Sequence, residues 1–190
     1  MNRRKKTERD EMIRRQTAYH EGGHALFAHL SPHFDRVTRV TIRQTRHTLG
    51  QTFDEHSDVP QSRPILIDNI ASYYAGMVAE ELAGYDPDEG AGSDLTMATA
   101  IAKTMVMQYG MGQRVGRRVV GFKELVGGKL QDDIDQDTRE ILGEADRLAQ
   151  KVVSEHLGEL DAIAELLLER ETIGAKELKE ILGPKAQAPA

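Results

Sequence analysis

Cysteine is absent from this chain of 190 residues. That excludes thiol catalysis, disulfides and thiolate zinc sites, and leaves His, Asp and Glu to form any zinc site. It also fits a cytosolic setting. Long apolar runs are missing as well. Nothing approaches the roughly 20 apolar residues that a membrane-spanning helix needs, and Met1 to Asp10 is basic and polar with no apolar segment behind it, unlike a signal peptide. There is no excess of positive charge. A formal charge of -6 and a pI near 5.7 argue against a general nucleic-acid binder. A P-loop is missing too. The only Gly-Lys pair, Gly128-Lys129, has Lys123 where that motif needs glycine and Leu130 where it needs Ser or Thr. No internal repeat is visible. The length suits one domain, or a domain with an appended helical part, large enough to bury a core without staples.

What is present is concentrated in five residues, His20-Glu21-Gly22-Gly23-His24, an H-E-x-x-H pattern. On a helix, residues four apart share a face, so both imidazoles can reach one zinc ion. Glu21 is offset by about 100° at 3.6 residues per turn. A carboxylate there can act as general base on a water at the metal. Residues 8 to 30 read as the helix, because Ile13, Thr17, His20, His24 and Phe27 recur at spacings of three and four. Pro32 ends it. Two glycines inside a helix cost about 1 kcal/mol each relative to alanine, which anticipates a close approach by another backbone or a substrate.

Val37 to Ile42 is rich in β-branched residues and reads as a strand, with Leu49 to Phe53 as its hairpin partner. No other β structure is expected. The remainder reads as helical: 65–83, then 95–109, then 132–157 stopped by Gly158, then 159–170 and 175–182. Residues 114–128 read as a loop. Residues 1–9, with Arg3-Arg4-Lys5-Lys6, read as a flexible basic linker, 10–183 as the folded domain, and 184–190 as a disordered tail. The acidic run Asp86 to Glu89 reads as a solvated turn. His29, His33, His47, His56 and His156 read as ordinary loop or surface residues, and Met97, Met105 and Met107 as packing.

Two histidines do not complete a catalytic zinc site, which needs a third protein ligand with water in the fourth place. A third histidine six residues beyond His24 would be Leu30, so that solution fails; His29 is one residue out of register. An acidic residue from a later helix is the other solution. Glu80, Glu81 and Asp94 all qualify, and spacing does not choose among them.

The chain resembles the peptidase domain of the FtsH family of ATP-dependent zinc metallopeptidases. The resemblance is carried by Ala18 to Ala25, Val37 to Ile42, Leu49-Gly50-Gln51-Thr52, Ala75 to Leu82 and Gly90 to Leu95. It continues through Ala98-Thr99, Met105-Val106, Tyr109 to Gly112 and Leu167 to Ile173. It covers residues 10 to 182, in the family's order. The resemblance implies one zinc ion on His20, His24 and Asp94, with Glu21 as general base. Glu80 and Glu81 become candidates for holding a ligand imidazole in the right tautomer. It also implies unfolded polypeptide substrates in protein quality control, a ring of six subunits, and an AAA-type ATPase partner. That ATPase would lie in cis within a parent protein, which could tether the domain to a membrane, or act in trans. The family usually has alanine where Gly22 stands, a change that loosens the helix and leaves the chemistry alone.

The expectation is therefore a mainly α metallopeptidase domain with a small β-hairpin beside the zinc helix. Its activity would be zinc-dependent endopeptidase action. A catalytically silent scaffold or interaction domain is the alternative. Substrate is expected to add as a strand along Leu49, Gly50, Gln51, Thr52 and Phe53.

Overall fold

The computed structural model describes residues 3–34, 37–43, 51–54, 61–86, 88–121 and 128–185. Helix α1 spans Arg3–Leu30, followed by strands β1 (Val37–Thr41) and β2 (Gln51–Asp54) and helix α2 (Arg63–Leu82). A short 3-10 turn (Glu89–Ala91) leads into α3 (Gly92–Met107). Then come α4 (Lys129–Ser154), α5 (Leu157–Arg170), β3 (Thr172–Gly174) and α6 (Ala175–Leu182). The mainly helical class is as expected.

Helix α1 is the centre of the packing. Its buried side, Ala18, Ala25, Leu26, Phe27 and Ala28, meets α2 on one flank and α5 on the other. Small residues let α2 come close. A Cβ at Gly23 would lie 2.3 Å from the Ala75 carbonyl oxygen and 2.7 Å from the Ala79 Cβ. The helical glycine therefore has the reason its cost required: the backbone of α2 occupies its side-chain space. Gly22 faces the other way, toward Leu160 and Ile163 of α5. Behind α2, the amphipathic helix α4 buries Ile134, Ile141, Ala145, Ala149 and Val153.

The sheet has three strands, in the order β2-β1-β3, both pairs antiparallel. Val40 pairs with Thr52 on one side and with Ile173 on the other. The third strand corrects the two-stranded hairpin expectation. Three residues, Thr172 to Gly174, are too few to leave a period of two in the sequence. They are strand because Val40 and Ile173, both buried, close the core over α6.

Other boundaries also move. Helix α1 begins at Arg3, so part of the segment expected as a linker is helical. Gly158 does not stop the long helix. The chain turns at Glu155-His156, and Gly158 lies inside α5. Residues 184–185 belong to the packed structure: the Lys185 ammonium donates to the Ser31 carbonyl, next to a bond from His29 Nε2 to the Gly183 carbonyl of 3.0 Å. His29 is thus buried, not a surface residue, and His33 donates to Asp68 over 2.9 Å. Met97 is about half exposed while Met105 is fully buried. His47, His56, Leu49 and Gly50 lie outside the described residues, as does the tail from 186.

Candidate metal centre

Helix α1 aims the two motif histidines at α2 and at the first turn of α3. His20 Nε2 and His24 Nε2 are 3.0 Å apart. Asp94 Oδ2 lies 3.2 Å from the first and 3.5 Å from the second. Donors held about 2.0–2.1 Å from a tetrahedral zinc are about 3.3 Å from each other. The three atoms therefore already stand at the mutual spacing of one metal's ligands, and among the described residues this is the one such grouping.

The opposite ring nitrogens explain why these atoms face inward. His24 Nδ1 donates to the Ser72 carbonyl over 2.7 Å, and a carbonyl can only accept, so that nitrogen carries the hydrogen. His20 Nδ1 donates to Glu80 Oε1 over 2.5 Å. Both rings thus turn Nε2 toward the Asp94 carboxylate. Three basic atoms around one point need a positive charge between them. In the metal-free chain a proton on His20 supplies it. Burial works against charge on that imidazole, but hydrogen bonds with Asp94 and Glu80 outweigh it and push it up to about 10. Burial likewise opposes charge on Asp94, yet the hydrogen bonds with both histidines hold it well below the usual carboxylate range. A divalent cation fits the same place and competes with that proton.

Backing this cage is Gly76 of α2. A Cβ there would lie 2.6 Å from His24 Nε2 and 2.9 Å from His20 Cε1. Glu21 is buried beside the two histidines, and the Thr52 hydroxyl of β2 donates to its Oε2 over 2.9 Å. Burial raises the Glu21 carboxyl above its ordinary value, against the pull of His24, His20 and the Thr52 hydroxyl. A buried carboxylate that resists ionisation is a readier proton acceptor when ionised.

The sequence left Glu80 and Glu81 undivided; the fold separates them. Glu80 is buried on His20, whereas Glu81 is exposed and takes no part in the cluster. Thr52, expected among the residues of a substrate-binding strand, turns its hydroxyl to Glu21. Two participants went unread. Gln16 stands one turn before His20, at the same spacing of four that marks the histidine pair, and that spacing was the available signal. Asp88, expected in a solvated turn, accepts from the Gly90 backbone N–H at 2.7 Å and is tied to Gln16.

Two imidazoles and one carboxylate converge with the Glu21 carboxylate alongside, an arrangement of the kind hydrolytic metal centres use. The sequence pattern of peptidase family M41 matches residues 7–181. The ATP-dependent zinc metalloprotease FtsH 2 of Sphaerobacter thermophilus is 37% identical over 99% of this chain and 29% of its own length. FtsH 1 of Thermomicrobium roseum is 32% identical over 98% of this chain and 32% of its own. The FtsH protein of Rhodococcus erythropolis is 34% identical over 98% and 24%. The chain belongs to peptidase family M41, and it spans about a quarter to a third of the length of these relatives.

Proposed function

We propose that this chain is a zinc endopeptidase domain acting on extended, unfolded polypeptide. The observation that carries the reading is the convergence of His20 Nε2, His24 Nε2 and Asp94 Oδ2 within 3.0–3.5 Å, with Glu21 buried at its side. His20, His24 and Asp94 would hold the ion; the zinc named in the relatives' descriptions fits this donor set. When bound, zinc supplies a Lewis acid that brings a water's pKa toward neutrality and stabilises an oxyanion. Glu21 takes the proton of the attacking water and passes it to the leaving amine. The Thr52 hydroxyl fixes one Glu21 oxygen, which leaves the other to receive that proton.

Substrate would lie along β2. Among the described residues β2 pairs only with β1, and the substrate strand would lie along its other edge, next to Glu21. Backbone pairing is indifferent to side chains and suits unfolded substrates. Folded substrates would need unfolding work, for which a AAA-type ATPase, in cis or in trans, is the proposed partner, within a hexameric ring on the cytoplasmic side. The relatives' names describe ATP-dependent enzymes, and the 190 residues contain no Walker A sequence. No described helix is long and apolar enough to cross a membrane.

Glu21→Gln tests the reading. It should keep stoichiometric zinc, since Glu21 is not among the three converging donors. Casein hydrolysis should fall by about 100-fold or more, the scale of a lost general base. Unchanged turnover would sink the mechanism. A wild-type chain that binds zinc but cuts no unfolded substrate would favour the silent-scaffold reading.

A further inference from the structure

Gln16 lies on α1 one turn before His20, part-buried, and its side-chain amide nitrogen meets two carboxylates. It donates to Glu80 Oε2 over 2.8 Å and to Asp88 Oδ2 over 3.0 Å. Both partners are acceptors, so the amide orientation is fixed: the nitrogen faces them and each of its two hydrogens has one carboxylate.

Those two carboxylates lead to two different donors of the metal centre. Glu80 holds His20 through Nδ1. Asp88 caps the 3-10 turn through the Gly90 N–H, and that turn runs directly into the α3 residue Asp94. Gln16 therefore sits where the support of one ligand and the support of another meet, although they come from different helices. A neutral amide suits this place. It separates two negative groups and adds no cation next to the ion.

We infer that Gln16 is a positioning residue that couples the orientation of His20 to the placement of Asp94, and so sets the affinity of the chain for its metal. This rests on the reading that His20, His24 and Asp94 hold zinc. Outer hydrogen-bond partners of metal ligands typically affect affinity about 10–100-fold. Gln16 acts one bond further out, on two ligands at once, so an effect of about tenfold is expected.

The test is a competitive zinc titration of the full chain against a chromophoric chelator. The variants are Gln16→Met, Gln16→Ala, Glu80→Gln and the double change Gln16→Met with Glu80→Gln. Circular dichroism of each metal-free protein reports the fold. Methionine keeps the length and volume of the side chain and removes both donors; alanine removes them without the added thioether. Gln16→Met and Gln16→Ala should each weaken zinc binding about tenfold with unchanged helix content. In the Glu80→Gln background the Gln16 change should cost clearly less, because part of what it orients is already lost. Zinc affinity within twofold of wild type in both Gln16 variants would overturn the inference. So would losses that multiply fully in the double variant. A wild-type chain that binds no zinc would overturn the underlying reading as well, which separates that failure from failure at Gln16 alone.

Discussion

Replacing Gly76 with alanine should separate metal binding from folding. The new methyl would sit 2.6 Å from His24 Nε2 and 2.9 Å from both His20 Cε1 and His24 Cε1. Ordinary contact begins near 3.4 Å, so the overlap with the nearest ligand atom is about 0.8 Å. Relief must come from the imidazoles, because Gly76 lies on α2 and its backbone is held by the helix. Metal–ligand distances tolerate about 0.2 Å. A displacement several times that size at one or both histidines should lower zinc affinity by about 100-fold or more. Alanine is favoured over glycine in a helix interior by about 1 kcal/mol. The metal-free protein should therefore melt close to the wild type while its zinc site is lost. Zinc titration and a thermal melt of the metal-free chain measure the two halves. Wild-type zinc affinity in Gly76→Ala would refute the placement of the histidines against α2. Gly23→Ala is the contrasting control: its methyl would strike the Ala75 carbonyl at 2.3 Å, so folding itself should suffer.

Zinc binding should release about one proton near pH 7, since the metal-free His20 is pushed up to about 10 and must lose its proton to bind. Affinity should thus rise about tenfold per pH unit from pH 7 towards that value; calorimetry in buffers of different ionisation enthalpy counts the proton, and a count of zero would contradict the assignment. Asp137→Ala should lower stability by about 3 kcal/mol in a denaturant titration, because the buried carboxylate accepts the Arg114 and Val115 backbone N–H groups, each at 2.9 Å, and both would lose their partner. A loss below about 0.5 kcal/mol would show that this loop has another anchor.

The helices were legible because their buried faces repeat. Ile67, Ile70, Ala71 and Val78 on α2, and Ile134, Ile141, Ala145 and Ala149 on α4, fall at helical spacings and are buried, whereas Leu82 of the same α2 stripe is exposed. Glu21 and the two histidines were legible for the same reason, since one helix carries them. Which carboxylate joins the two histidines was not legible from residues alone. Asp94 and Glu80 are separated from His20 by 74 and 60 positions, and only the packing of α2 on α1 and of α3 on α2 decides which carboxylate arrives. Resemblance to a family pointed to Asp94 where spacing did not. His29 was misjudged because a histidine near a helix end gives no sign that residue 183 will return to cover it. Gly158 was misjudged because a glycine marks a helix end only when the backbone turns left-handed there, and here the turn came earlier. Gly84 and Gly110, with φ of 86° and 63°, do end their helices as expected.

The three-stranded sheet also sets an order on synthesis. Strand β1 meets β2 almost at once, but Thr41 waits for Thr172, 131 residues further on. At about 5–20 residues per second, that is on the order of ten seconds during which one edge of β1 stays open. His20, Glu21 and His24 precede β1 in the chain, and Asp94 follows well before Thr172, so all four are present for the later part of that interval. A chain cut off after Arg170 would keep every one of those groups and leave the β3-facing edge of β1 unpaired. The last segment therefore closes an edge of β1 that would otherwise be open to strand pairing, although it adds no residue to the histidine–aspartate cluster.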